Sequence, residues 1–209
     1  MRDTFPSVKR PGTGLFKAKG SKFHGYAFPL PFDDEAAAER TVEELLQAVR
    51  KEHHAARHVC YAWQFGPNRF RAADDGEPGG SAGAPIHGVL RAHDLHWTLI
   101  AVVRYFGGVK LGVGGLIEAY REAGREAVAN AGLSQNVRQC LLTFGYAPGL
   151  TRHVMQAIQQ AGADILAERY TDRCLLDIAV AAGDADNLTR TLLNIHGVNL
   201  VKPKAFPST

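Results

Sequence analysis

The sequence predicts an α+β chain of two domains, residues 1–133 and 134–209, and three observations predict it. At 209 residues, 45% hydrophobic and 22% charged, the chain is long enough for two small cores and polar enough to be globular. From Ser134 onward the pattern runs strand, helix, strand, strand, helix, strand in about 70 residues, the order of a split βαβ, ferredoxin-like domain. The residues before Ser134 alternate strands and helices around two glycine-rich loops, which makes a mixed α/β unit.

FHGYAFPL, Phe23 to Leu30, reads as a strand, and DDEAAAERTVEELLQAVRKEHH, from Asp33, as a long helix with an acidic first turn and a basic last turn. HVCYAWQFG, from His58, alternates large and small residues and is a strand ended by Gly66-Pro67. Asn68 to Gly83 is mostly loop, with RFRAA a short strand, and APIHGVLRAHD suits a short helix. Trp97 to Phe106, WTLIAVVRYF, is apolar and β-branched and predicts a buried strand. A second loop, GGVKLGVGG, precedes the helix LIEAYREAGREAVANAG, which ends at Gly132.

In the second half NVRQCLLTFGYA is a strand, and PGLTRHVMQAIQQAG is a helix with proline at its start and glycine at its end. ADILAERY and CLLDIAVA are strands around a Thr171-Asp172-Arg173 turn. DADNLTRTLLNIHG is a helix opened by acidic, capping residues, and VNLVKP is the last strand. The net charge of +3 and a pI of about 8.8 permit phosphate-rich partners but fall short of a strongly basic nucleic-acid binder. Cys60, Cys140 and Cys174 lie far apart without a CxxC pair, which argues against a disulfide framework or zinc knot and for a reducing compartment. MRDTFPSVKRPG lacks the apolar centre of a secretory signal, and no apolar run approaches the roughly 18 residues of a membrane span. The expectation is a soluble, cytoplasmic protein.

DDGEPGGSAGAP, Asp74 to Pro85, admits three readings: a metal loop, a general acid and base, or a rigid turn. The calcium-loop spacing of an EF-hand is absent, and Pro78 stiffens the chain directly after Glu77. In the turn reading Asp75 and Glu77 accept backbone hydrogen bonds, cap the next helix or pair with a base, while Gly79, Gly80 and Gly83 leave the backbone bare. The second loop, Gly107 to Gly115, joins a buried strand to a helix where amides and Lys110 can hold an anion, yet it matches neither a Walker loop nor GxGxxG. Arg104 is a charge in an apolar segment, and Asp75 or Glu77 is its expected partner. His53, His58 and Cys60 form a possible zinc set, against which stand a core role for Cys60 and a hydrogen-bonded His58. Ser81 lacks a GxSxG elbow. Tyr105, Phe106 and Tyr120 either stack on bases or belong to the core.

KGSKF from Lys19, HHAARHVCYAW from His53, DDGEPGGSAGAPI from Asp74 and VVRYFGGVKLGVGGLIEAY from Val102 resemble the IMPACT family in its bacterial, YigZ-like form, across nearly the whole first domain. Gly80 stands where serine is common there, His54 where proline is usual, and Ile117-Glu118 where valine-arginine is frequent. The resemblance implies a ribosomal protein S5 domain 2-like fold for the first domain and, for the second, the fold of the last domain of elongation factor G. Both folds recur in proteins that touch RNA and the ribosome, and eukaryotic relatives regulate translation by binding the activator of an initiation-factor kinase. Fold analogy is only an associational warrant for function.

The resemblance carries over no catalytic residue, metal site or cofactor. It implies a binding surface of Asp74, Asp75, Gly76, Glu77, Arg104, Tyr105, Phe106, Gly107, Gly108, Lys110, Leu111, Gly112, Gly114 and Gly115. The expected function is a non-enzymatic binding protein linked to regulation of translation, contacting RNA, the ribosome or a translation factor. The alternatives are a metal-assisted hydrolase or transferase of a phosphorylated small molecule, with Asp75 and Glu77 at the metal and Lys110 on the phosphate, or a protein-only interaction module such as a homodimer.

Overall fold

The computed structural model describes residues 4–32, 34–170 and 172–204, the last three by backbone alone. Asp33, where the first helix is predicted to start, and Thr171, in the predicted turn, lie outside the described residues. The chain divides into two compact units, one spanning Phe5–Asn136 and one beginning at Val137.

The first unit is built from β1 (Thr4–Val8), β2 (Gly12–Ala18), β3 (Ser21–Pro29), α1 (Glu35–Glu52), β4 (His58–Phe65), β5 (Arg69–Ala73), α2 (Gly83–Ala92), β6 (Thr98–Tyr105), α3 (Gly112–Ala131) and β7 (Leu133–Val137). A five-stranded sheet of order β2-β3-β6-β4-β5 has antiparallel neighbours throughout. Its central strand β6 is covered on both faces, which is why it reads as a continuous apolar run. Ile100 and Val102 join the core under α2 and α3, whereas Leu99, Ala101 and Val103 face the residues of α1. Helix α1 opens where the Asp34 carboxylate accepts from the Ala37 N–H at 2.9 Å.

Helix α3 reaches the sheet through small residues. Ala119, Ala123, Ala127 and Ala131 recur every fourth residue and are fully buried. Opposite them, a Cβ on Gly25 would lie 2.2 Å from the Ala123 carbonyl oxygen, so backbone meets backbone. This close seat fixes where the N-terminus of α3 falls beside the end of β6.

The second unit contains β8 (Gln139–Tyr146), a 3-10 turn (Pro148–Leu150), α4 (Thr151–Gln160), β9 (Asp164–Tyr170), β10 (Cys174–Ala181), α5 (Ala182–Leu193) and β11 (Asn199–Lys204). The strand–helix order is the expected βαββαβ, and the antiparallel sheet has the order β11-β8-β10-β9. Val154 and Ile158 of α4 and Leu188 and Leu192 of α5 share one core with Phe144, Tyr146, Leu176 and Ile178.

Four sequence expectations need correction. β1 and β2 were not expected, because Pro6 and the glycines of GTGLFKA dilute any strand signal. The predicted strand NVRQCLLTFGYA is two strands: β7 pairs with β1, with Asn136 Nδ2 donating to Ser7 Oγ, and β8 enters the second sheet. The two compact units divide after Asn136. Helix α3 starts at Gly112 rather than Leu116, so the last four residues of the predicted loop form its first turn. The Pro148 helix begins as a 3-10 turn.

The glycines of the α3 region divide by environment. Gly25→Ala drives a methyl into the Ala123 backbone and is expected to cost at least about 1–3 kcal/mol. Gly114→Ala, which meets nothing within 4 Å, is expected to stabilise by about 0.4–1 kcal/mol. Urea unfolding of the two variants checks both; equal midpoints would contradict the packing described.

Candidate functional site

The acidic stretch is a rigid turn in which each carboxylate has its own task. Asp74 Oδ1 accepts from Ala82 N at 2.9 Å and Gly83 N at 2.8 Å, and Oδ2 accepts from Gly80 N at 2.8 Å. It therefore caps α2 from eight residues upstream, one of the three roles weighed for Asp75 and Glu77, which instead take the other two, a backbone amide and basic partners. Burial opposes its ionisation, but the three N–H donors prevail and hold the carboxyl below its ordinary value. Asp75, with φ of +45°, accepts from Val59 N at 2.7 Å and pairs with Arg50 at 3.1 Å. Its carbonyl is 2.6 Å from His58 Nδ1, and the Asp74 carbonyl accepts from Cys60 Sγ at 3.0 Å. Burial pushes the Cys60 thiol up to about 12, so it stays a donor at neutral pH.

Glu77 turns into the interior, its side chain only 3% exposed. Both of its oxygens accept from Arg104 Nη1, at 2.8 and 2.9 Å, and Oε1 also accepts from Tyr120 O–H at 2.8 Å. Arg104 thus pairs with Glu77 and not with Asp75, which is held by Arg50. The Arg104 guanidinium lies over the rings of Phe23 and Phe106, 5.6 and 5.4 Å from their centroids. The triad joins the acidic turn, the end of β6 and α3 in a single contact.

Beside it opens a cavity of about 880 Å³, within the usual range for small-molecule sites. Of the predicted surface, Glu77, Arg104, Tyr105, Phe106, Lys110, Leu111 and Gly112 line it. Asp74, Asp75, Gly76, Gly107, Gly108, Gly114 and Gly115 do not. Gly107 instead presses on the β2–β3 turn, where a Cβ would lie 2.0 Å from the Gly20 carbonyl carbon, and its N–H donates to Ser21 Oγ at 3.1 Å. KGSKF thus has a packing role. The lining also includes Arg57, His58, Pro78, Val113 and Leu116. Of these Arg57 stood in the HHAARHVCYAW motif without being singled out.

A second polar cluster, missed in the sequence, lies on the α1 face of the sheet. Buried His53 is 2.9 Å from Tyr105 Oη through Nδ1 and 2.5 Å from Tyr26 Oη through Nε2, and Tyr26 O–H donates to Glu52 at 3.1 Å. Burial and then Glu52 push the Tyr26 phenol up to about 12. Burial, with His53 and Lys22 nearby, lowers the His24 pKa. His53, His58 and Cys60 are each engaged separately, and among the described residues no three His, Cys, Asp or Glu side chains are grouped to hold a metal ion. Ser81 Oγ donates to the Pro78 carbonyl at 2.6 Å, and Tyr120 is buried rather than available for stacking.

Removing the Asp74 cap, as in Asp74→Ala, is expected to cost about 1–2 kcal/mol at neutral pH. A carboxyl lowered in the folded state contributes fully above its unfolded value, about 3.9. That contribution is lost as pH falls through the folded pKa. Urea unfolding from neutral to acid pH is expected to show a shallower acid decline in the variant than in the parent chain. Parallel declines would contradict this account of the cap.

The Impact N-terminal domain model matches residues 19–128, the segment that carries the acidic turn, β6 and the start of α3. IMPACT family member YvyE of Bacillus subtilis is 42% identical over 135 residues, covering 64% of this chain and 59% of that protein. IMPACT family member YigZ of Escherichia coli is 37% identical over 115 residues, covering 53% of this chain and 51% of that protein. The matched part thus spans between half and three-fifths of these curated relatives. A solved structure described as the crystal structure of an hypothetical protein aligns with a TM-score of 0.67 at 25% identity, over 99% of this chain and all of that one. The chain is a YigZ-like member of the IMPACT family.

Proposed function

We propose that this chain is a non-enzymatic binding protein of the translation apparatus, contacting RNA or the ribosome through the mouth of the Glu77–Arg104 cavity. The observation that carries this reading is where the charges go. Glu77 is the sole carboxylate among the described lining residues, and both its oxygens are taken by Arg104. Asp74 and Asp75 are spent on backbone amides and Arg50. Among the described residues no acid lining this mouth is left to activate water or bridge a metal, which disfavours the hydrolase reading. Lys110 and Arg57, by contrast, are exposed and line the cavity, among exposed Phe106, Val109 and Val113. Cations interleaved with apolar and aromatic groups suit a phosphate backbone with unstacked bases.

The fold reading supports the same assignment by analogy alone. We read the first unit as S5 domain 2-like, and the second, from its βαββαβ order and β11-β8-β10-β9 sheet, as ferredoxin-like and similar to the last domain of elongation factor G.

Lys110→Glu is expected to weaken co-sedimentation with ribosomes at low salt. It should also reduce the slope of log affinity against log salt by about 0.7–0.9, the share of one phosphate contact. Sedimentation across a salt series, with and without nuclease, measures both. Identical curves for the variant and the parent chain would remove this mouth from the contact.

A further inference from the structure

The cavity carries more positive charge than its own residues balance. Arg57, Arg104 and Lys110 line it against one carboxylate, Glu77, which Arg104 already neutralises. Arg104 donates to Glu77 from Nη1 alone. Among the described residues its Nε, closed to solvent, has no acceptor.

Two further features converge on the same space. Gly112 and Val113, in the first turn of the 20-residue helix α3, line the cavity, and that turn has neither an acidic residue nor a side-chain cap. Its amide ends add to the positive potential there. Ala55, Ala56 and Leu116 give an apolar stretch of wall beside His58 and Tyr105, and Phe106 is 60% exposed.

We infer that this cavity binds a phosphomonoester carried on a flat apolar body the size of one nucleotide. A dianionic phosphate matches Arg57 and Lys110, the two cations left after Glu77 is paired with Arg104. The flat body covers Phe106 and Val113. The site rests on the binding reading above and narrows it to a single phosphorylated nucleotide, which is either free in solution or the phosphorylated end of an RNA strand.

Calorimetric titration of the full chain at low salt with adenosine monophosphate, adenosine and inorganic phosphate tests the assignment. Saturable binding of the monophosphate is expected, at least about tenfold tighter than that of either fragment. Lys110→Glu should weaken it by about tenfold or more, and Val113→Trp, which fills the mouth from an exposed position, should abolish it. Competition by short RNA strands with and without a 5′-phosphate separates the sources. Displacement by the phosphorylated strand alone assigns the site to an RNA end, and displacement by neither assigns it to a free nucleotide. The inference is overturned if the monophosphate does not saturate, if adenosine binds as tightly, or if both variants bind like the parent chain. Loss of nucleotide binding alongside intact, Lys110-dependent ribosome association overturns only this inference. Nucleotide binding without ribosome association supports the pocket and overturns the translation reading instead.

Discussion

The ion pair between Arg104 and Glu77 is the constraint around which the first unit is arranged. β6 must be apolar because helices cover both of its faces, yet its end carries a guanidinium that is 11% exposed. A charge so placed is tolerated only when paired and hydrogen-bonded, and losing one partner of such a pair typically costs about 3–5 kcal/mol. Glu77 meets that requirement from a turn 27 residues away, and Tyr120 adds a donor from α3. The turn can deliver Glu77 inward because Asp74 and Asp75 have fixed its two ends to α2 and β4. Three carboxylates in four residues are thus one anchoring device, and the cavity forms beside it.

How much of this was legible depends on whether the signal was local or spatial. The requirement of Arg104 for an acidic partner could be read directly, because a lone charge in WTLIAVVRYF admits few alternatives. Choosing Glu77 over Asp75 could not, since it depends on Arg50 of α1 reaching Asp75 first. The cap on α2, one of three roles open to Asp75 and Glu77, falls to Asp74, which acts across eight residues rather than the usual three. The start of α3 was placed four residues late because GVGG has poor helix propensity, which the seating of the helix on Gly25 and its neighbours overrides. Nothing local announces that Tyr26, His53 and Tyr105 meet, and that cluster emerges only when β3, α1 and β6 are assembled.

Membership of the IMPACT family fixes what the chain resembles, while the charges argue for what its surface does. The acids conspicuous in the sequence are used structurally, Glu77 in the interior and Asp74 and Asp75 on backbone amides. The cations and the first turn of α3 remain at the cavity. Under the proposed reading, that arrangement suits recognition of an anion.

The most direct test of the central claim is a double-mutant cycle on Glu77→Gln and Arg104→Leu, with stability read from urea unfolding. Each single substitution strands a buried partner, so the account predicts losses of about 3 kcal/mol or more for each. The double variant should then recover at least about 1 kcal/mol relative to their sum. Strictly additive losses would show that the two side chains do not depend on each other, and the anchoring role given to the acidic turn would fail.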